Sequence, residues 1–391
     1  MRILTLNYEF PPIGGGGSPV SYELGRELVA QGHQVDVVTM GFNGLPAREV
    51  VDGINVYRVP CLRKRRELCK THEMVSFVLA ALPKVARLAA THRYDVNHTH
   101  FIVPTGLLAR LLELRASLPF VVSLHGSDVP GYNPDRFTIQ HRMIGPAWRW
   151  VVQGASHLIV PSAYLDELAN RQSHGRPTTV IPHGFRYDRF SADGCKDRRI
   201  LVVARMIPRK GIQYLLEALR TLDLRGFHVD IVGDGPYLST LRQIAAELSL
   251  PVKFWGWLDN ESTELRRLYE SSSIFVLPSE AESFGMVLLE AMASGNAIVT
   301  CGGTGAAEAI GRDALLVPPR RPDALRAALE QLIANPELLA SLAHRARARV
   351  EREFGWPTIA KRYVEIYAGI VKRQAQHKQL RFRSYASPGV R

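Results

Sequence analysis

The sequence predicts an α/β protein built from two doubly wound domains, and three observations carry that expectation. Short β-branched runs alternate with segments of helical period from end to end, the pattern of parallel sheets covered by helices on both faces. The 391 residues are enough for two domains, each able to bury its own core. Between the two series of strands, residues 185–197 lose apolar periodicity and collect charges, Gly and Asp, as an interdomain connection does.

In order, the first series of strands is expected at 2–7, 34–39, 54–59, 95–99, 120–124, 157–161 and 179–181, with helices in most of the gaps. The second is expected at 199–204, 228–232, 252–257, 274–277, 297–300 and 314–317. After Trp356 an amphipathic helix is expected, opened by Pro357 and carrying Ile359, Tyr363, Ile366 and Tyr367 on one stripe. The resulting domains are 1–187 and 196–355, with 356–373 as the terminal helix and 374–391 as a basic flexible tail.

Composition narrows the function. Hydrophobic residues make up 46% and charged residues 22% of a chain whose formal net charge is +12, a field that attracts phosphates, anionic lipid or nucleic acid. Zinc-finger spacing, a basic heptad region and a basic-aromatic RNA signature are all missing from the sequence, so nucleic acid is not an expected partner. Cys61, Cys69, Cys195 and Cys301 make neither a C-x-x-C pair nor a metal spacing and read as reduced thiols. No run of about 18–20 uninterrupted apolar residues and no signal-peptide pattern appear, which points to a cytoplasmic chain.

Several strand ends carry chemistry. The first expected strand leads into Phe10-Pro11-Pro12-Ile13-Gly14-Gly15-Gly16-Gly17-Ser18 and then a helix; glycines allow close backbone approach and a helix N-terminus offers N–H groups to an anion. The dinucleotide fingerprint G-x-G-x-x-G fails there in register, because Pro19 or Val20 stands where its last glycine belongs. In the second domain, Arg205 and Lys210 occupy a basic turn after a strand, and Gly233-Asp234-Gly235 follows another as a tight turn. Trp255-Gly256-Trp257 ends the next strand, either as packing or as backbone set against a ligand ring. In the run from Pro278 to Gly295, Glu282 and Glu290 are eight residues apart. On one continuous helix they lie about 80° apart in azimuth and roughly 12 Å apart along the axis, facing one groove, while the amides of Ser283, Phe284 and Gly285 stand ready for phosphate oxygens. Arg63, Lys64, Arg65, Arg66 and Lys70 precede an apolar helical segment at 74–79, which suits either docking on an anionic membrane or a solvated loop ahead of a core helix.

Taken together, the glycine loop, Gly32-His33-Gln34-Val35, His125-Gly126-Ser127-Asp128, Pro182-His183-Gly184, the turn from Arg205 to Gly211 and the Glu282/Glu290 pair occur in an order that resembles the retaining, nucleotide-sugar-dependent glycosyltransferases of family four. The likeness covers nearly the whole chain; it departs at Pro182-His183-Gly184-Phe185, where the family commonly has Asn before Gly and an aliphatic residue after it.

The resemblance implies a GT-B fold: two Rossmann-like domains facing a cleft, the donor bound mainly by the second, the acceptor mainly by the first, and a terminal helix returning to the first. It implies that Arg205 and Lys210 neutralise the donor diphosphate, Glu290 holds ribose hydroxyls, Glu282 contacts the donor sugar and His125 sits beside that sugar. Gly15 and Gly16 would close over the phosphates, Gly233, Ser283, Phe284 and Gly285 would contact the donor, and Gly17 and Asp128 would lie toward the acceptor. Cationic groups and helix N-termini would stabilise the leaving diphosphate, so neither a metal nor another cofactor is expected, and no D-x-D pair is present to hold one. The expected reaction moves a hexose-type sugar to a glycan, lipid-linked or small-molecule hydroxyl. A GT-B nucleotide-sugar epimerase and a non-catalytic nucleotide-sugar-binding protein remain open from the residues alone.

Overall fold

The computed structural model describes residues 1–385 apart from Glu67, Asn133, His174 and Asp193, and describes only the backbone over 134–143, 172–173 and 377–385. The chain forms two compact units. The first comprises Met1–Pro161, Leu165–Gly184 and the terminal segment from Trp356; the second comprises Ser162–Tyr164 and Phe185–Gly355. The segment read as a connection thus belongs to the second unit. Phe185 donates its N–H to the Phe354 carbonyl (2.7 Å) and joins that unit's core, and the boundary falls at Gly184 rather than at 187. Isolated aromatics set among charges gave no periodicity by which this packing could be read.

The first unit is an eight-stranded sheet of β1 (Arg2–Leu6), β2 (Gln34–Met40), β3 (Arg48–Val51), β4 (Ile54–Val59), β5 (Val96–His100), β6 (Phe120–Ser123), β7 (His157–Val160) and β8 (Thr178–Val180). Its order is β3-β4-β2-β1-β5-β6-β7-β8, parallel except for the β3–β4 pair. The central strands are apolar on both faces because helices cover both; Ile3, Leu4, Leu6, Val35, Val37 and Val38 are fully buried. β3 has no counterpart among the expected strands. It is a four-residue antiparallel edge with two exposed residues, too short and too polar to give a pattern.

The second unit is a six-stranded parallel sheet, β9 (Asp197–Val203), β10 (His228–Val232), β11 (Val252–Gly256), β12 (Ser272–Leu277), β13 (Ala297–Cys301) and β14 (Leu315–Val317), in the order β11-β10-β9-β12-β13-β14. Alternation along β9 feeds two cores: Ile200 and Val202 face one layer of helices, Leu201 and Val203 the other.

The last helix, Trp356–Tyr385, belongs to the first unit. Its stripe of Trp356, Ile359, Ala360, Tyr363, Tyr367 and Ile370 is buried against Ile3, Val35, Val96 and Val121. Helical backbone runs on to Tyr385, so the tail expected from 374 begins no earlier than 386; residues 386–391 lie outside the described ones. The Gln- and Arg-rich stretch keeps good helix formers, which lets the helix outrun its apolar stripe.

Asp36 on β2 is fully buried and accepts hydrogen bonds from Arg2 Nη2 (2.9 Å), Asn55 Nδ2 (2.7 Å) and Tyr94 Oη (2.6 Å). Burial alone would raise its pKa; the bonds from Tyr94, Arg2 and Asn55 outweigh that and hold it below the ordinary value. A depressed carboxyl contributes stability above its unfolded pKa of about 3.9, and the contribution is lost as pH falls through the folded value. Asp36→Ala is expected to cost about 3 kcal/mol in urea unfolding at neutral pH, with the gap to the parent narrowing below about pH 4. A pH-independent gap is the contrary result.

Candidate functional site

In each sheet one central strand has neighbours whose connections run off in opposite directions, the place where open parallel sheets bind ligands at their carboxyl ends. In the second unit that strand is β9, flanked by β10 and β12; in the first it is β1, flanked by β2 and β5.

The turns after β9 and β12 meet closely. Gly211 has φ +71°, and a β-carbon on it would drive into the Pro278 carbonyl oxygen; Glu280 N–H donates to the Arg209 carbonyl (2.9 Å). This contact brings the Lys210 ammonium onto the Glu282 carboxylate, both largely buried. Arg205 is exposed at the end of β9. Gly233, at φ +133°, lets the turn after β10 lie on the Ala204 carbonyl, and its N–H is engaged by the Gly256 carbonyl (2.7 Å). Trp255 packs, donating from Nε1 to Asp230 (2.7 Å), whereas Trp257 is 66% exposed at the carboxyl end of the edge strand.

Glu282 does not lie on the helix that carries Glu290. That helix is Met286–Ala293, and Gly285, left-handed at φ +86°, ends the loop before it, so the azimuth computed for one continuous helix does not apply. The loop is held instead from a third strand end. Gly305, opening the helix after β13, donates its N–H to the Glu282 carbonyl (2.9 Å), and a β-carbon there would collide with the Ser283 carbonyl. Ser162 Oγ donates to that same Ser283 oxygen (2.6 Å). Phe284 is buried edge-on to Phe354, anchoring the loop from beneath. Gly305 was not singled out in the sequence, although Gly302-Gly303-Thr304-Gly305 between a strand and a helix is a legible signal. Glu290 is partly buried beside Tyr269, and burial pushes its carboxyl up to about 7 against the pull of the Tyr269 hydroxyl.

In the first unit the four glycines divide their tasks. Gly14, at φ +117°, sits against Glu9; Gly15 N–H donates to Glu9 Oε2 (2.9 Å); Gly16 is open to solvent. Gly17 is buried at the start of the helix Gly17–Ala30, where a β-carbon would stand 2.6 Å from the Phe101 ring and 3.7 Å from His125. Asp128 spends both carboxylate oxygens on backbone: Oδ1 accepts from His125 N (3.0 Å) and Gly126 N (3.1 Å), Oδ2 from Ile102 N (3.3 Å). It therefore builds the turn that carries His125. His125 in turn stacks on His183, ring centroids 5.5 Å apart.

Arg63 corrects the expected surface patch. Its side chain is 0% exposed, ion-paired with Glu9 (3.9 Å) and donating to the Arg65 (2.9 Å) and Arg66 (2.7 Å) carbonyls. Gly14 N–H also donates to the Arg66 carbonyl (2.8 Å), so the basic segment and the glycine loop are one tied structure. The guanidinium is taken by the carbonyls of Tyr8, Arg65 and Arg66 and by the Glu9 carboxylate, partners that no linear motif announces. Among the described residues, no group of three or more His, Cys, Asp or Glu is arranged to hold a metal ion.

Two family models match in succession: the glycosyl transferase 4-like domain over residues 15–184 and glycosyl transferases group 1 over 197–335. Glycogen synthase of Mycobacterium tuberculosis is 28% identical, with 96% of each chain covered. Among solved structures, sucrose-phosphate synthase from Thermosynechococcus elongatus matches at TM-score 0.79 and 23% identity, covering 95% of this chain and 100% of that one. Anabaena HepE, solved with UDP-glucose, matches at TM-score 0.72 and 20% identity, covering 94% and 100%. The fold is therefore that of the GT-B glycosyltransferases.

The raised Glu290 carboxyl has a consequence for stability. Its folded pKa lies above an unfolded value of about 4.3, so its contribution is complete below that pH and lost as pH rises through about 7. Glu290→Gln is expected to unfold in step with the parent near about pH 5 and to be more stable by about 1–2 kcal/mol near about pH 8, a figure reduced for partial exposure. Chemical denaturation at the two pH values reads the difference; a variant less stable at both contradicts the assignment.

Proposed function

Because the chain belongs to the group 1 glycosyl transferases, we propose that it moves a hexose-type sugar from a nucleotide diphosphate sugar to a hydroxyl acceptor, with retention at the anomeric carbon and without a metal ion. The observation that carries the reading is the Lys210–Glu282 pair at the strand-order reversal of the second sheet. A cation and an acid held together in a largely dry turn suit a ligand that presents phosphate oxygens beside sugar hydroxyls. Support for the donor class comes from HepE, a structural neighbour solved with UDP and with UDP-glucose.

On this reading Arg205 and Lys210 balance the charge that grows on the leaving diphosphate, helped by the amides of Ser283, Phe284 and Gly285 and by the backbone approach that Gly233 permits. Glu282 accepts from hydroxyls of the transferred sugar and Glu290 from the ribose. Gly15 and Gly16 approach the phosphates, His125 the sugar, and Gly17 and Asp128 shape the acceptor side. The bond from the anomeric carbon to phosphate oxygen breaks, the acceptor oxygen bonds on the same face, and its proton passes to the departing phosphate. No enzyme nucleophile enters.

A second reading concerns where the acceptor is met. Leu62, Leu68, Val75 and Leu79 are exposed, the first at 62% and the last at 69%, next to exposed Lys64, Arg65, Arg66 and Lys70. Glu73 gathers this surface by accepting from Lys64 N (3.0 Å) and Lys70 N (2.7 Å) at the start of the helix Thr71–Thr91. That helix is long and apolar enough to cross a membrane by length and composition. Its stripe of Glu73, Phe77, Ala81, Val85 and Leu88 is buried in the unit, however, so we read it as a core helix with an apolar outer face. An exposed apolar face edged by cations suits peripheral docking on the anionic inner face of a plasma membrane, from the cytoplasm.

Glu282→Ala and Lys210→Ala are each expected to lower turnover on the order of 10²-fold with fold retained by circular dichroism; near-native turnover in both defeats the assignment. A thermal-shift series with UDP, GDP and ADP should single out one base, since about 100-fold excess over Kd adds about 2.7 kcal/mol of stability. In vesicle flotation the protein should rise with anionic but not neutral lipid, and Lys64→Glu with Arg65→Glu and Arg66→Glu should abolish it. Binding indifferent to lipid charge refutes the docking.

A further inference from the structure

Four histidines of the first unit lie in one row across the carboxyl ends of its strands. His98 and His100 on β5 have ring centroids 4.3 Å apart, His100 and His125 5.3 Å with planes 18° apart, and His125 and His183 5.5 Å with planes 20° apart. Burial pushes all four pKa values down, to about 3 at His98 and about 4 at His183, so the rings are neutral at physiological pH. A neutral imidazole has one N–H and one lone pair, and the partner of one nitrogen decides the chemistry of the other.

His98 is fully engaged. Its Nδ1 meets the Tyr367 hydroxyl at 2.8 Å and its Nε2 the Ser123 hydroxyl at 2.8 Å, which ties the row to the terminal helix. Between His100 Nδ1 and His125 Nε2 (3.1 Å) a single proton is shared, and two arrangements can supply it. If His125 donated from Nε2, the His100 proton would sit on Nε2, a buried atom without a hydrogen-bond partner among the described residues. If His100 donates from Nδ1, its buried Nε2 holds only a lone pair. Orphaned buried N–H groups are the rarer of the two in folded proteins.

We infer that His100 donates from Nδ1 to His125 Nε2, and that His125 is thereby fixed with its own proton on Nδ1, a neutral hydrogen-bond donor toward a substrate oxygen and not a proton acceptor. His125 is only partly buried, and with Nε2 taken, Nδ1 is the nitrogen left for a ligand. The tautomer rests on hydrogen-bond geometry alone; its use in transfer rests on the proposed function. A donor at this point fits the same-face reaction, in which the leaving phosphate takes the acceptor proton and no side-chain base is required. His100 is then a positioning residue, acting through His125.

The test is 15N–1H correlation on full-length protein labelled at histidine, with His125 assigned by its loss in His125→Ala. A protonated Nδ1 and bare Nε2 at His125 around neutral pH are expected; the reverse pattern overturns the inference. His100→Asn keeps an amide donor near the position of Nδ1 and should preserve the His125 tautomer, with kcat within about threefold of the parent. His100→Leu removes the donor and should mix the two tautomers while lowering kcat by roughly tenfold or more, with donor KM little changed. Equal loss of kcat in both variants with the tautomer intact overturns the positioning role. Unimpaired transfer by His125→Ala overturns the use of His125 in catalysis, separately from its tautomer.

Discussion

Lys210 reaches Glu282 because Gly211 has no side chain. With a β-carbon at that position, the turn after β9 would be pushed off the Pro278 carbonyl, and the two charged groups would part. The same device recurs around the reversal point, where Gly233 lies against the Ala204 carbonyl and Gly305 against Ser283. Four βα turns, those after β9, β10, β12 and β13, thus converge at backbone contact distance. Only residues without side chains permit that approach, and the polar groups on the turns inherit their geometry from it.

The first unit solves a different problem, namely how to hold a glycine-rich loop that has little packing of its own. Glu9 accepts from the Gly15 amide and is steadied by Arg63, which also binds the carbonyls of Arg65 and Arg66. A buried guanidinium with several acceptors is costly to desolvate but fixes direction at each of them. The segment carrying the exposed cations and the loop beside β1 therefore share one anchor.

What the sequence made legible follows physical scale. Parallel strands buried on both faces wrote continuous apolar runs, so thirteen of the strands were expected within a residue or two, whereas the polar edge strand β3 was not. The group 1 family and the GT-B fold were legible because several motifs stood in one order along the chain. Contacts between distant positions were not. The Arg63 side chain reads as a surface charge until Glu9 and the Arg66 carbonyl come to meet it, and Glu282 reads as helical until Gly285 is seen to turn left-handed. His98 and His100 carry no signal in the sequence, since two histidines on a strand become a row only when β6 and the segment after β8 bring His125 and His183 alongside.

The terminal helix has a consequence for the order in which the protein matures. The second unit is complete once Gly355 has been made, but the first lacks Trp356, Tyr363 and Tyr367 of its own core until after that point. At about 5–20 residues per second, the N-terminal sheet must wait on the order of ten seconds for its last layer while the intervening unit leaves the ribosome. Until then the apolar bed that receives Trp356, Tyr363 and Tyr367 lacks its cover.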